Sequence, residues 1–212
     1  MADMTPDFWL FDLDGTVVDV ERSYPEAVFA EVGDRLGHEF TEREVERLWY
    51  GVGGLRDDLL AEIAVDPGRF WEAFHAVDDP RARAEASYVY DDAATLLAGL
   101  DRPVGVVTHC QSYLTRPVLD HLDIRDWFDT VVCCDDEVGW KPDPEPVERA
   151  MADLGVAGNG HEGVLVGDNP TDVGAAWNAG LEAVYVDRIP PERRDRCVLG
   201  DRRVDSLTAL SR

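Results

Sequence analysis

The fold is decided by a short stretch near the start of the chain, FWLFDLDGT at residues 8–16. Its first half is apolar without interruption, which is typical of a strand covered on both faces in a parallel sheet. Because side chains alternate along a strand, Asp12 and Asp14 project to the same side at its carboxyl end. Gly15 then permits a sharp turn. Open α/β sheets bind ligands at this edge, so the stretch indicates where a site would lie.

Four further runs of strand type follow, and helix signals separate the later ones. The runs are Val104–Thr108, Thr130–Cys134, Val164–Val166 and Ala183–Val186. Two helices are predicted to start where an N-cap residue precedes a proline, at Asp143-Pro144 and Asn169-Pro170. A further edge strand with a helical turn is predicted within Arg202–Leu210. This strand–helix alternation predicts an α/β fold with a Rossmann-like, doubly wound parallel sheet.

The region from Val18 to Val89 interrupts the alternation, since it carries helix signatures and no convincing strand. Apolar residues recur at four-residue spacing from Tyr24 to Leu36. Thr41 with Glu44 forms a capping box, and two later helices start at Asp66-Pro67 and Asp79-Pro80. We therefore predict an all-helical cap domain at residues 18–89, inserted into an α/β core formed by residues 1–17 and 90–212.

The composition excludes several classes of function. Forty-four acidic residues oppose 20 basic ones, and the net charge of -24 argues against nucleic acid or an anionic membrane as partner. No apolar run is long enough to span a bilayer, and the first residues lack signal-peptide features, so we expect a cytoplasmic protein. The four cysteines suggest neither a zinc site nor a disulfide framework.

The acidic excess has two interpretations. One is a basic protein partner, and the other is a halophilic surface that stays hydrated in concentrated salt, where screening suppresses self-repulsion. The even spread of carboxylates along the chain favours the second. Of the 20 basic residues only Lys141 is a lysine, which makes it the first residue to question.

Chemically useful side chains follow three other predicted strands. They are Thr108, Lys141, Asp168 and Asp172. Each has a simple structural alternative: a helix cap, a surface cation or an acid in the first turn of a helix. Asp-x-Asp-Gly alone is also compatible with a solvated turn. Together, however, these residue types at four strand ends favour one site, in which two close carboxylates need a cation or a shared proton.

These residues resemble the haloacid dehalogenase superfamily of phosphotransferases. The family pattern is Asp-x-Asp-Gly-Thr, then Ser or Thr, then Lys, then Gly-Asp-x-x-x-Asp. This chain matches it, in order, at residues 12–16, 108, 141 and 167–172. The inserted helices resemble the cap of the branch that contains phosphoglycolate phosphatases and β-phosphoglucomutases.

The resemblance implies a role for each matching residue. Asp12 would attack phosphorus to form an aspartyl phosphate, and Asp14 would serve as general acid and then base. Mg²⁺ would bind Asp12, the backbone carbonyl of Asp14 and Asp168. Thr108 and Lys141 would hold the phosphoryl group. Asp172, outside the metal's coordination sphere, would orient Lys141 or a metal-bound water.

The resemblance also limits the reaction. Dehalogenases and phosphonate hydrolases of this type lack the second aspartate, whereas an alkoxide leaving group needs its proton. We therefore expect a Mg²⁺-dependent phosphatase, monomeric or homodimeric, acting on a small phosphorylated metabolite such as phosphoglycolate or a sugar phosphate. A phosphomutase of the β-phosphoglucomutase type is the alternative, followed by a noncatalytic binding protein.

Further positions bear on which substrate binds. His109 stands where the family commonly has Asn, so it is a candidate contact for the substrate phosphate, although packing at a helix start is the simpler interpretation. Arg56, after a glycine-rich turn, and Arg22 are candidates for a substrate carboxylate or second phosphate. Arg56 pairing with neighbouring Asp57 or Asp58 is an equal alternative. An aromatic set is more typical of cap core than of a pocket: Trp49, Trp71 and Phe74.

Overall fold

The computed structural model describes residues 6–51, 56–158, 160–190, 193 and 197–211. Its strands are β1 (Phe8–Phe11), β2 (Val18–Val20), β3 (Ser87–Val89), β4 (Val104–Thr108), β5 (Thr130–Cys133), β6 (Gly163–Gly167), β7 (Glu182–Val186) and β8 (Arg202–Val204). Its helices are α1 (Ser23–Leu36), α2 (Glu42–Tyr50), α3 (Arg56–Glu62), α4 (Pro67–Val77), α5 (Pro80–Ala86), α6 (Asp91–Ala98), α7 (Ser112–His121), α8 (Glu145–Asp153) and α9 (Pro170–Asn178). Short 3-10 helices cover Arg125–Trp127 and Leu207–Leu210.

Across the described residues the main sheet has six strands in the order β5–β4–β1–β6–β7–β8, and every neighbouring pair is parallel. The chain builds outward from β1 on one side and then crosses to β6 to build the other side. The strand order therefore reverses beside β1, where doubly wound sheets bind their ligands. The predicted Rossmann-like α/β class is confirmed.

The uninterrupted apolar character of β1 follows from helices on both faces of the sheet. Trp9 and Phe11 pack into one apolar cluster, whereas Phe8 and Leu10 pack into a second cluster on the opposite face. All four side chains are buried. Because neither face of the strand meets water, no polar residue is needed at alternate positions.

Helices α1 to α4 share an apolar cluster of their own, which includes Phe29, Leu48, Leu60 and Phe70. The predicted capping box is present: the Thr41 side chain accepts from the Glu44 backbone, and the Glu44 side chain accepts from the Thr41 backbone. Asp66 and Asp79 cap α4 and α5 as predicted. The glycine-rich turn predicted before Arg56 falls mostly at residues 52–55, which lie outside the described residues.

The expectation that residues 18–89 contain no strand is wrong. β2 and β3 pair antiparallel, with Val18 opposite Val89 and Val20 opposite Ser87, so a short ribbon joins the two ends of the helical insertion. Three-residue strands are too short to show a period in the sequence. In addition, Ala84 of α5 belongs to an apolar cluster of the α/β core rather than to that of α1–α4.

Three smaller findings complete the fold. Helix α8 begins at Glu145 with Pro144 at its N-cap, one residue later than the predicted start, because the Asp143 backbone N–H bonds to Trp140 in the preceding turn. Cys110, Cys133, Cys134 and Cys197 form no disulfide in the described structure. In the described part of the chain, no helix combines the length and apolarity needed to cross a bilayer.

Candidate active site

Asp12 and Asp168 meet at the carboxyl end of β1 and β6. The Asp12 backbone N–H donates to the Val166 carbonyl at 2.8 Å, which continues the ladder between the two strands. Gly15 follows in the left-handed region with φ +79°, and a Cβ there would lie 2.4 Å from the Asp168 carboxylate. Glycine is therefore required both by the turn and by the close approach of Asp168.

Lys141 is buried and bonds to three groups of the site. Its Nζ donates to Asp12 Oδ1 at 2.7 Å, to Asp172 Oδ1 at 2.6 Å and to the Val107 carbonyl at 2.8 Å. All three ammonium hydrogens thus have acceptors. Burial acts to lower the pKa of Lys141, but the carboxylates of Asp12 and Asp172 outweigh it and hold the pKa above its ordinary value. The ammonium is fully charged at neutral pH.

Asp172 is committed through both of its carboxylate oxygens. Oδ1 accepts from Lys141, and Oδ2 accepts from the Asn169 backbone N–H at 2.9 Å, as part of the capping box that starts α9. The side chain packs so closely on Gly167 that a Cβ there would lie 2.3 Å from it. Asp172 is therefore built to orient Lys141 and to begin the helix.

The acidic group formed by Asp12, Asp168 and Asp172 suits a hard cation. Their oxygens lie within 4.8 Å of one another. Burial, followed by the charges of Asp12 and Asp172, raises the pKa of Asp168 well above its ordinary value. No hydrogen bond from the described residues reaches the Asp168 carboxylate, so no such bond offsets this cost of charging it. Carboxylate oxygens are ligands that Mg²⁺ prefers, so the donor set of this group fits that ion.

Thr108 and His109 lie at the carboxyl end of β4, beside this group. The buried Thr108 hydroxyl oxygen accepts from the Cys110 backbone N–H at 3.0 Å, and its own hydrogen remains available to donate. The His109 ring lies 5.7 Å from the Trp140 ring, and its buried Nε2 has no partner among the described residues. Burial, with the charges of Lys141 and Arg56, lowers the pKa of His109 to about 3, so the ring is neutral.

Asp14 contacts the helical insertion. Its Oδ1 accepts from Nη2 of Arg83 at 2.7 Å. Arg83 is a residue that the sequence analysis missed, and it is 7% exposed. No motif marks it among the many arginines of the chain, because its contact with Asp14 exists only after α5 has packed against α7.

A cavity of about 800 Å³ opens over these residues, between the strand ends and the helical insertion. Asp12, Asp14, Thr108, Lys141, Asp168 and Asp172 all line it. Trp49, Trp71 and Phe74 line it too, although they also pack against the core of α1–α4. The interpretation of these aromatics as cap core is therefore incomplete.

Of the two arginines predicted for substrate specificity, Arg56 lines this cavity and Arg22 does not. Arg56 lines the cavity and donates to the carbonyls of Leu48 and Trp49 at 2.7 and 2.9 Å, rather than to Asp57 or Asp58. Arg22 is not among the residues that line this cavity. It borders a smaller neighbouring cavity of about 310 Å³, is largely exposed and pairs with Glu26 and Glu42.

Comparisons with known proteins agree with this geometry. A family model for haloacid dehalogenase-like hydrolases matches residues 9–186. Phosphoglycolate phosphatase of Nitrosococcus oceani is 29% identical over 191 residues, which is 84% of this chain and 83% of that protein. Pyrophosphatase PpaX of Bacillus velezensis is 32% identical over 187 residues, with 84% and 81% covered. A solved haloacid dehalogenase-like hydrolase from Streptococcus pneumoniae shares the fold, with a TM-score of 0.77 at 16% identity over 97% of this chain and 96% of its own.

Proposed function

The chain belongs to the haloacid dehalogenase-like hydrolase family and is a phosphoester hydrolase. On that premise we propose that it is a Mg²⁺-dependent phosphomonoesterase whose nucleophile is Asp12. The observation that carries the proposal is the buried ammonium of Lys141, bonded to Asp12 at 2.7 Å and to Asp172 at 2.6 Å. The ammonium holds one oxygen of Asp12, and no hydrogen bond from the described residues occupies the other. Asp12 also lines the cavity.

The reaction has two displacements. In the first, the free Asp12 oxygen attacks phosphorus, the bond from phosphorus to the substrate oxygen breaks, and Asp14 gives a proton to the departing alkoxide. In the second, water attacks the phosphoryl group on Asp12 and gives its proton to Asp14. The bond from phosphorus to Asp12 then breaks, which releases inorganic phosphate and restores both aspartates.

Thr108 and His109 would donate hydrogen bonds to the transferring phosphoryl group in this scheme, and Lys141, whose three hydrogens are already bonded, would act on it through its positive charge. Lys141 is already charged and fully positioned, so no reorganisation accompanies the build-up of negative charge on the phosphoryl oxygens. The Thr108 hydroxyl has a hydrogen to donate. His109 is neutral and has an unpartnered buried Nε2, so it is suited to a hydrogen bond rather than to charge pairing.

Asp12, Asp168 and the backbone carbonyl of Asp14 would hold Mg²⁺. When bound, the ion supplies positive charge that offsets the repulsion between the carboxylates and a phosphate substrate. Asp172 would stay outside the coordination sphere, because both of its oxygens are already occupied. This agrees with its role as a residue that orients Lys141.

The cavity fits a small phosphorylated metabolite, either phosphoglycolate-like or a sugar phosphate. Its volume of about 800 Å³ lies in the range usual for small-molecule sites. Arg56 lines the same cavity as Asp12, Asp14 and Asp168. Burial lowers the pKa of Arg56, and the charges of these three carboxylates act against that lowering. Since two of its nitrogens already serve backbone carbonyls, the remaining one would bind a carboxylate or second phosphate of the substrate.

We also propose that residues 18–89 act as a cap over a core of residues 1–17 and 90–212, with the β2–β3 ribbon as the hinge. The separate apolar cluster of α1–α4 supports movement of those helices as one body. Closure of the cap would exclude water while Asp12 is phosphorylated.

The spread of carboxylates over the whole chain further supports a surface adapted to concentrated salt.

The experiment that tests this function measures phosphate release from a panel of phosphomonoesters and from pyrophosphate, with Mg²⁺ and with a chelator. The panel includes phosphoglycolate and sugar phosphates, and Asp12→Asn serves as the blank. We expect steady, Mg²⁺-dependent release that is absent in the variant. Sugar phosphate isomerisation without phosphate release would instead indicate a mutase, and no turnover at any salt concentration would indicate a binding protein.

A further inference from the structure

Arg83 of α5 joins the helical insertion to the proposed acid–base residue. Its Nη2 donates to Asp14 Oδ1 at 2.7 Å, and its Nη1 donates to Asp78 Oδ2 at 2.8 Å. The guanidinium carbon also lies 5.1 Å from the centre of the Trp49 ring. The Arg83 side chain is buried, and its two hydrogen bonds hold the guanidinium in this position.

Asp78 is in turn held by the start of α1. It is 3% exposed, and its second carboxylate oxygen accepts from the Tyr24 hydroxyl at 2.7 Å. Both oxygens of Asp78 are therefore occupied, one by Tyr24 and one by Arg83. A continuous chain of side chains runs from α1 through Asp78 and Arg83 to Asp14 on the core.

The Asp14 carboxylate is the last member of this series of hydrogen bonds. Among the described residues, Arg83 is the group that bonds to the Asp14 side chain, and the second carboxylate oxygen is left free. An unrestrained carboxylate next to a wide cavity would sample several rotamers. A planar guanidinium that is fixed by Asp78 removes that freedom.

We propose that Arg83 is the positioning residue for Asp14: it holds one carboxylate oxygen so that the other faces the leaving oxygen of the substrate. The inference rests on the proposed function. It assigns Arg83 no contact with the phosphoryl group, in contrast to Lys141. Small displacements of a catalytic group commonly cost about 100-fold in rate, so the effect should be large.

The test compares kcat/KM for an alkyl phosphate, whose leaving oxygen needs a proton, with kcat/KM for p-nitrophenyl phosphate, whose leaving group needs none. This parameter reports only the steps up to the release of the alcohol, so the later hydrolysis does not interfere. For Arg83→Gln we expect about a 100-fold loss with the alkyl ester and less than about a fivefold loss with the nitrophenyl ester. Asp14→Asn should show the same leaving-group dependence.

Two further variants complete the design. Arg83→Lys keeps the charge but cannot reach both carboxylates, so it should show a smaller loss with the same dependence and serves if Arg83→Gln does not fold. Arg81→Gln is the matched control, because Arg81 lies on the same helix, is largely exposed and forms an ion pair with Glu85 on the surface. This variant should behave as wild type.

Equal losses on both esters, or no loss on either, in the folded Arg83 variants would overturn the positioning role. Failure of the proposed function is distinguishable from this result, since it would appear as phosphate release by Asp12→Asn. A dead Asp12→Asn together with equal losses for Arg83→Lys would refute only the inference about Arg83.

Discussion

The ammonium of Lys141 and the carboxylate of Asp172 lie 2.6 Å apart, and both residues are buried. Both residues are at most 4% exposed. A buried pair of this kind contributes little net stability, because desolvation offsets the attraction, but it is costly to break on one side only. Its value lies in fixing the ammonium beside Asp12.

Removal of one partner should therefore cost more than removal of both. We predict that Lys141→Met lowers the free energy of unfolding by about 3–5 kcal/mol, because Asp12 and Asp172 are left as uncompensated buried charges. The double variant Lys141→Met/Asp172→Asn should lose less than the sum of the single variants. Urea denaturation of the four proteins measures the coupling. Strict additivity would show that the two groups do not interact.

Asp168 should control the affinity for Mg²⁺. In the wild type, added Mg²⁺ should raise Tm, since it binds only the folded chain, and Asp168→Asn should abolish that rise. The variant should also need at least about tenfold more Mg²⁺ for half-maximal activity. Asp120→Asn is the control, because Asp120 is an exposed acid on α7. An unchanged Mg²⁺-dependent Tm in Asp168→Asn would rule out Asp168 as a ligand.

The neutral state of His109 predicts a specific pH dependence of stability. Burial lowers its pKa in the folded protein to about 3, whereas the unfolded chain binds the proton near pH 6.5. Stability is thus lost as pH falls below about 6.5, with a slope of up to about 1.4 kcal/mol per pH unit from this group. His109→Asn should lose stability less steeply than wild type over this range.

Exposed His121 provides the comparison for that measurement. It lies at the end of α7, and His121→Asn should keep the wild-type dependence. Urea denaturation between pH 7 and pH 5 gives the slope of the free energy of unfolding against pH. The contributions of the other titrating groups cancel when the slopes of two variants are subtracted. Identical slopes for His109→Asn and wild type would contradict a buried neutral imidazole.

The acidic surface predicts that salt stabilises the fold. With a net charge of -24, self-repulsion should weaken as KCl rises from about 0.1 M to about 1 M and the screening length shortens. The free energy of unfolding in urea should increase over that range. Urea is used because guanidinium salts would themselves screen the charges. Greatest stability in dilute buffer would favour a basic protein partner instead.

Much of the fold and site could be predicted from local sequence. The apolar runs of β1, β4 and β6 are visible because both faces of the sheet are covered, and helix caps such as Thr41 and Asn169 are set by residues within one turn. The placement of Asp12 and Lys141 could also be expected, since parallel strands bring their carboxyl ends to one edge.

The missed features depend on contacts between distant parts of the chain. The β2–β3 ribbon exists because the two ends of the insertion meet, and neither strand is long enough to show a period. Arg83 has no motif, and its role follows from the packing of α5 against α7. Likewise, the face that Trp71 presents to the cavity is decided by how the inserted helices sit above the sheet.

The most direct test of the central claim is detection of the phosphoryl group on Asp12. The enzyme is mixed with Mg²⁺ and a phosphomonoester, quenched in acid within one turnover, and digested for mass spectrometry. We predict phosphorylation of the peptide that contains Asp12, and none in Asp12→Asn. Phosphate release without a phosphorylated Asp12 at any quench time, or turnover that persists in the variant, would contradict the proposed nucleophile.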